Sequence, residues 1–168
     1  MASSTVRTFA DPDDFMTATV MRTAIAELTI TGRGDFAAKT VRIDLPRLWV
    51  ARHADNLPRI SHTPRMPGRA NIVFRAKPGP GVLMSGVVIE PTNLIRTADD
   101  HDGYQISAGW SSLNTMSLSV EDMASVAATM AGCDLPPPRD TLGVTATTRD
   151  GEAAAPTRGG RASCGNRP

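Results

Sequence analysis

The sequence predicts a mainly β fold, a sandwich or small barrel, with two flanking helices. Short segments alternate apolar and polar residues with a period of two, and Gly/Pro-rich breakers separate them every 8–12 residues or so. Only two stretches carry helical signals. At 168 residues the chain is long enough for one domain with a core and some tail besides.

The first helical signal lies in "FADPDDFMTATVMRTA". Asp11 is placed to cap the helix with its carboxylate, and Pro12 suits the first helical position, where an N–H has no partner anyway. Asp13 and Asp14 complement the positive end of the helix dipole. Phe15, Thr19 and Arg22 share one face and Met16 and Val20 another, so the apolar stripe is weak and the helix is expected to dock loosely.

The period then changes to two. "IAELTIT" and "FAAKTVRIDL" read as strands, and the "GRGD" between them as a hairpin turn. Glycine tolerates positive φ and Asp35 can bond its own downstream backbone, so Arg33-Gly34-Asp35 is expected to be turn chemistry and not an adhesion motif. Further strands are expected in "RLWVARH", "RISHT", "NIVFRA", "VLMSGVVI", "YQISA" and "SLNTMSLS".

A second helix follows in "SVEDMASVAATMAG". Ser119 and Asp122 form an S-x-x-D capping pattern, and Gly132 stands where a left-handed C′ residue belongs. Met123, Val126, Ala127 and Met130 recur at i, i+3, i+4 and i+7. Such a stripe either packs on its own sheet or serves as a dimer face. Residues 1–140 are read as the domain and 141–168 as a tail, disordered from about Val144, because that segment has no apolar periodicity with which to offset its conformational entropy.

Composition narrows the function. Forty per cent hydrophobic and 21% charged residues are ordinary for a soluble globular protein, and a net charge of +1 argues against a strongly electrostatic partner. The start has no apolar signal core and no stretch is long enough for a membrane span. Cys133 and Cys164 stand apart, which fits a reducing cytoplasm.

No motif advertises catalysis. His53, His62 and His101 are isolated with no His-x-His pair, so neither a transition metal nor another cofactor is expected. There is no Gly-x-Ser-x-Gly elbow, and the paired glycines Gly32 and Gly34 lack the rest of a dinucleotide fingerprint. What remains is the interior of the fold. Trp49, His62, Phe74, Met84, Tyr104 and Trp110 are the large or polar-tipped side chains available to line a small-molecule site there, against ordinary core packing for each.

The hairpin "ELTITGRGDF", the strand "RIDLPRLW", and the helix start "SLSVEDMA" before "CDLPPPRD" resemble the N-terminal half of AraC-family transcription regulators, over about Phe9 to Asp140. The resemblance implies a cupin-like, jelly-roll barrel that senses a small molecule or mediates dimerisation, and no catalytic residue. In that family a C-terminal half with two helix-turn-helix motifs binds DNA, and this sequence departs from the pattern, since only a short tail without helical periodicity follows Gly132. A truncated or frameshifted regulator of this kind is expected not to bind DNA specifically by itself, and to act as a homodimer or by pairing with a full-length relative. A free-standing cupin-like binding protein or enzyme is the alternative.

Overall fold

A computed structural model describes residues 2–23, 25–64, 66–75, 77–97, 102–131 and 142–145. In chain order the elements are β1 (Ser3–Phe9), α1 (Pro12–Thr23), β2 (Glu27–Ile30), β3 (Ala38–Asp44), β4 (Leu48–Asp55), β5 (Arg59–Thr63) and β6 (Arg69–Arg75). They continue with β7 (Val82–Met84), β8 (Val87–Val88), β9 (Asn93–Thr97), β10 (Gly103–Ser107), β11 (Ser111–Ser119), α2 (Val120–Ala131) and β12 (Leu142–Thr145). One sheet has the order β1-β3-β4-β11-β6-β9-β12 and the other β2-β5-β10-β7-β8, with antiparallel pairing throughout.

The expectation of a mainly β fold with two helices holds, but the two sheets do not close into a barrel. The reason is visible at one open side. There β1 and β2 are the edge strands of different sheets, and α1 links them and packs on both. Its Asp11 cap accepts hydrogen bonds from the backbone N–H of Asp13 at 2.7 Å and Asp14 at 3.2 Å.

The helix does not dock loosely. Phe15 is wholly buried, with its ring centroid 5.4 Å from that of Phe9 and 5.8 Å from that of Phe36. The Thr19 hydroxyl, also buried, donates to the Phe15 carbonyl at 2.6 Å, so the polar residue on the docked face is satisfied inside its own helix. One aromatic anchor thus replaces the continuous stripe that the periodicity lacked.

The GRGD segment is not a hairpin. β2 pairs with β5 in one sheet while β3 pairs with β1 and β4 in the other, so residues 31–37 carry the chain between sheets. A second crossing runs beside it at Asn56–Pro58, between β4 and β5. The two corners are bonded together. Thr31 N–H donates to the Pro58 carbonyl at 2.9 Å, and Asn56 accepts from Ala37 N–H and donates to the Asp35 carbonyl, both at 2.8 Å. Gly34 has φ +125°, while a Cβ on Gly32 would lie 2.5 Å from Pro58 Cδ. Arg33 is exposed, as turn chemistry requires.

Other boundaries shift too. "VLMSGVVI" is two strands around a tight turn, with Ser85 at φ 45° and Gly86 at φ 82°, the signature of a type I′ hairpin. β1 and β9 form where no strand is expected from the sequence. Leu142–Thr145, expected in the tail, adds as β12 to the edge at β9. Residues 146–168 and the C′ position at Gly132 lie outside the described residues.

α2 is capped as expected, with the Ser119 hydroxyl accepting from Asp122 N–H at 2.9 Å. Its stripe divides. Ala127 is buried and Met123 half-buried, whereas Val126 is 48% and Met130 83% exposed.

The corner makes a graded prediction for urea unfolding. Arg33→Ala changes stability by less than about 0.5 kcal/mol. Gly34→Ala, forced to a left-handed φ, loses about 1 kcal/mol or more. Gly32→Ala, which drives the two crossings apart, loses about 1–3 kcal/mol. Equal effects at all three positions contradict this account of the corner.

Candidate functional site: a polar cavity between the sheets

Strand alternation sends Trp49, Ala51, His53 and Asp55 of β4 inward, with Asn71, Val73 and Arg75 of β6 and Leu113 and Thr115 of β11. From the other sheet Arg59, Ser61 and Thr63 of β5 face them, with Gln105 and Ser107 of β10 and Met84 of β7. The interior this makes is unusually polar. Asp55, Arg59, Ser61, Ser107 and Ser111 are all buried.

At its centre Arg59 Nε donates to Asp55 Oδ2 at 3.0 Å, an ion pair that joins the two sheets. Arg59 Nη1 also donates to the Ser61 hydroxyl at 2.7 Å. With the Gln105 amide oxygen turned toward the guanidinium, it accepts from Nη2 at 2.8 Å and from Nη1 at 3.3 Å. The Ser111 hydroxyl donates to Asp55 Oδ2 at 3.1 Å. Burial pushes the Asp55 carboxyl above the usual carboxylate range, with Arg59 and Ser111 pulling against it.

Beside this pair lies a cavity of about 90 Å³. That is well above the roughly 10–15 Å³ a single water needs. The apolar part of its wall is Ile25, Trp49, Val73, Met84 and Leu113. Polar groups are interleaved with these, mostly on the same strands: His53, Arg59, Asn71, Gln105 and Thr115. Arg42, held by Asp44 at 2.7 Å, stacks on the Trp49 ring at 4.4 Å from its centroid and fixes that wall.

His53 is the titratable group of the cavity. Burial, with Arg59 and Arg42 adding their charge, lowers its pKa to about 4, so it is neutral near pH 7. Its Nδ1 lies 3.3 Å from the Thr40 hydroxyl, and Phe15 packs edge-on to its ring. Among the described residues no group of three His, Cys, Asp or Glu side chains is placed to hold a metal ion.

Of the six residues expected to line an interior site, Trp49, Met84 and Tyr104 border the cavity. Tyr104 does so only at the rim, since it is largely exposed and its ring stacks on His62 at 4.9 Å. His62 is on the outer face with Tyr104, its Nε2 2.8 Å from Asp102 Oδ2. Phe74 has the wrong parity, since its neighbour Val73 points inward. Trp110 sits in the loop before β11, outside the cavity, against Gly79. His53, Arg59, Asn71, Gln105 and Thr115 are absent from that expectation. The signal for them is parity within "WVARHAD", "RISHT" and "YQIS", which fixes a shared face without regard to polarity.

The fold is similar to that of the AraC-like transcriptional activator CuxR, with a TM-score of 0.57 and 9% sequence identity. The match covers 79% of this chain and 53% of the activator, so it spans about half of that protein's length. No family model and no curated protein matches the sequence. Among the described residues no helix is long and apolar enough to cross a membrane.

His53 gives the site a pH signature. Its folded pKa of about 4 is below the ordinary 6.5, so as pH falls the unfolded chain takes the proton first. The stability this residue supplies is complete above about pH 6.5 and is lost as pH falls through about 4, a loss of about 3 kcal/mol. The raised Asp55 carboxyl acts in the opposite sense, so the comparison with His53→Gln isolates the histidine. The stability of wild type relative to His53→Gln is expected to fall across that window in urea titrations, and a difference independent of pH contradicts a buried neutral His53.

Proposed function

We propose that this chain is the regulatory domain of an AraC-type transcription regulator, with a cupin-like fold that holds a small-molecule effector between its sheets. The observation that carries the reading is the mixed polar and apolar cavity, placed inside a fold similar to that of an AraC-like activator. The cavity's chemistry favours a neutral effector. Among the described residues Arg59 is offset by Asp55, His53 is uncharged and Asp102 at the rim is engaged with His62, which favours a molecule that needs no counter-charge. The size of the cavity favours a small molecule.

The reading assigns no catalysis and no direct specific DNA contact to this domain. Arg59 and His53 are engaged with neighbouring side chains, while the buried Asn71 Oδ1 has no partner among the described residues and is left to a ligand, as suits recognition more than turnover. Dimerisation is a second role that the exposed Val126 and Met130 on α2 favour, either with a like chain or with a longer relative. A dimer in sedimentation that becomes monomeric in Val126→Glu supports it, and a monomeric wild type removes it.

Trp49 reports on the cavity directly. In a Trp110→Phe background its emission is the chain's only tryptophan signal. Screening neutral small metabolites against that variant is expected to find at least one that shifts the emission and raises the melting temperature together. Thr115→Phe, which fills the cavity, is expected to abolish both responses while near-ultraviolet circular dichroism shows a packed core. Binding unaffected by Thr115→Phe contradicts an effector site at this cavity.

A further inference from the structure

Among the described residues two arginines are buried in the interior, and only one is in an ion pair. Arg59 has Asp55. Arg75, at the end of β6, is 9% exposed and forms no ion pair with any described residue. Its Nη1 makes one long hydrogen bond, 3.5 Å to the Ile89 carbonyl, and its Nη2 is buried with no acceptor at all. A guanidinium keeps its charge at any ordinary pH, so it cannot escape the cost of burial by losing a proton. A buried charge of this kind calls for an anion.

What covers Nη2 is a pair of interlocked loops. A Cβ on Gly79 would lie 3.0 Å from Arg75 Nη2, and 2.9 and 3.0 Å from Cζ3 and Cε3 of Trp110. The glycine backbone therefore sits where a ligand atom would sit, and the lack of a side chain is what lets it. Gly109 packs on Pro80 in the same way, and Ala108 N–H donates to the Gly81 carbonyl at 3.3 Å. Residues 77–81 are all exposed, and Trp110 is 39% exposed, so this cover is thin and faces solvent.

The site is separate from the cavity beside His53. Val73 and Leu113 belong to an apolar cluster with Val82, Ile89 and Ile95, and Arg75 follows Val73 on the inward face of β6, at the strand end away from Asn71. We propose that Arg75 is the anchor of an anion site, which takes an oxyanion such as a carboxylate or phosphate group as the Gly79 and Trp110 loops part. The guanidinium offers paired N–H donors suited to two oxygens of such a group. Trp110, expected from the sequence to line an interior site, lies against the same glycine that Arg75 approaches.

Inorganic phosphate and acetate are the probes, titrated against chloride at constant ionic strength. In wild type, phosphate or acetate at about ten times its Kd is expected to raise the melting temperature by about 4 °C. Trp110 emission, followed in a Trp49→Phe background, is expected to shift over the same concentration range. Arg75→Met removes the unpaired charge and is expected to fold and to lose both responses. Arg75→Lys, which keeps the charge without the fork, is expected to bind about tenfold more weakly and covers the case in which Arg75→Met is unstable. Absence of any response to either anion overturns the proposal, as does an equal response in Arg75→Met. So does an anion response that appears only in Glu90→Gln and not in wild type, which would make Glu90, next to Ile89, the native partner of the arginine.

Discussion

The ion pair between Arg59 and Asp55 is the constraint on which the rest of this structure depends. The two residues flank the Asn56–Pro58 corner, where the chain leaves one sheet for the other, so the pair spans the gap that the corner opens. With both side chains buried, each charge is stable only while the other is in place. Ser61, Ser111 and Gln105 complete the arrangement from both sheets. An all-apolar interior would let the sheets slide to whatever packing buried most surface. A fixed pair with directional bonds sets one separation, and the cavity beside it follows from that separation.

This polar interior also explains which parts of the molecule the sequence made legible. Turns and caps were readable because their chemistry is local: Asp11 and Ser119 cap the helices, and Gly34 takes the positive φ its place in "GRGD" suggests. Strand positions were mostly readable from period two. The partner of each strand was not. Nothing local distinguishes a hairpin at Arg33-Gly34-Asp35 from a crossing between sheets, because the decision lies in Pro58 and Asn56, more than twenty residues away. The barrel expectation failed for a similar reason, since the helix that holds the edges of the two sheets apart is anchored by Phe15 without a continuous apolar stripe.

The site residues were harder still. Hydrophobic pattern identifies the buried face of a strand only where that face is apolar. In β5 it is the reverse: Arg59 and Ser61 are buried while Ile60 is exposed. A choice by size and aromaticity therefore found Trp49 and Met84 but also Phe74, one position out of phase, and overlooked His53, Asn71 and Thr115. The fold neighbour supplies the architectural frame at 9% identity, and the cavity chemistry is this chain's own.

A double-mutant cycle on Asp55 and Arg59, read by urea unfolding at pH 7, tests the central claim most directly. Asp55→Leu and Arg59→Met are each expected to cost about 3–5 kcal/mol, because each strands a buried charge. The double variant Asp55→Leu with Arg59→Met is expected to recover much of that loss, which leaves a coupling of several kcal/mol. Single variants that each cost under about 1 kcal/mol and add independently would contradict a clamp between the sheets.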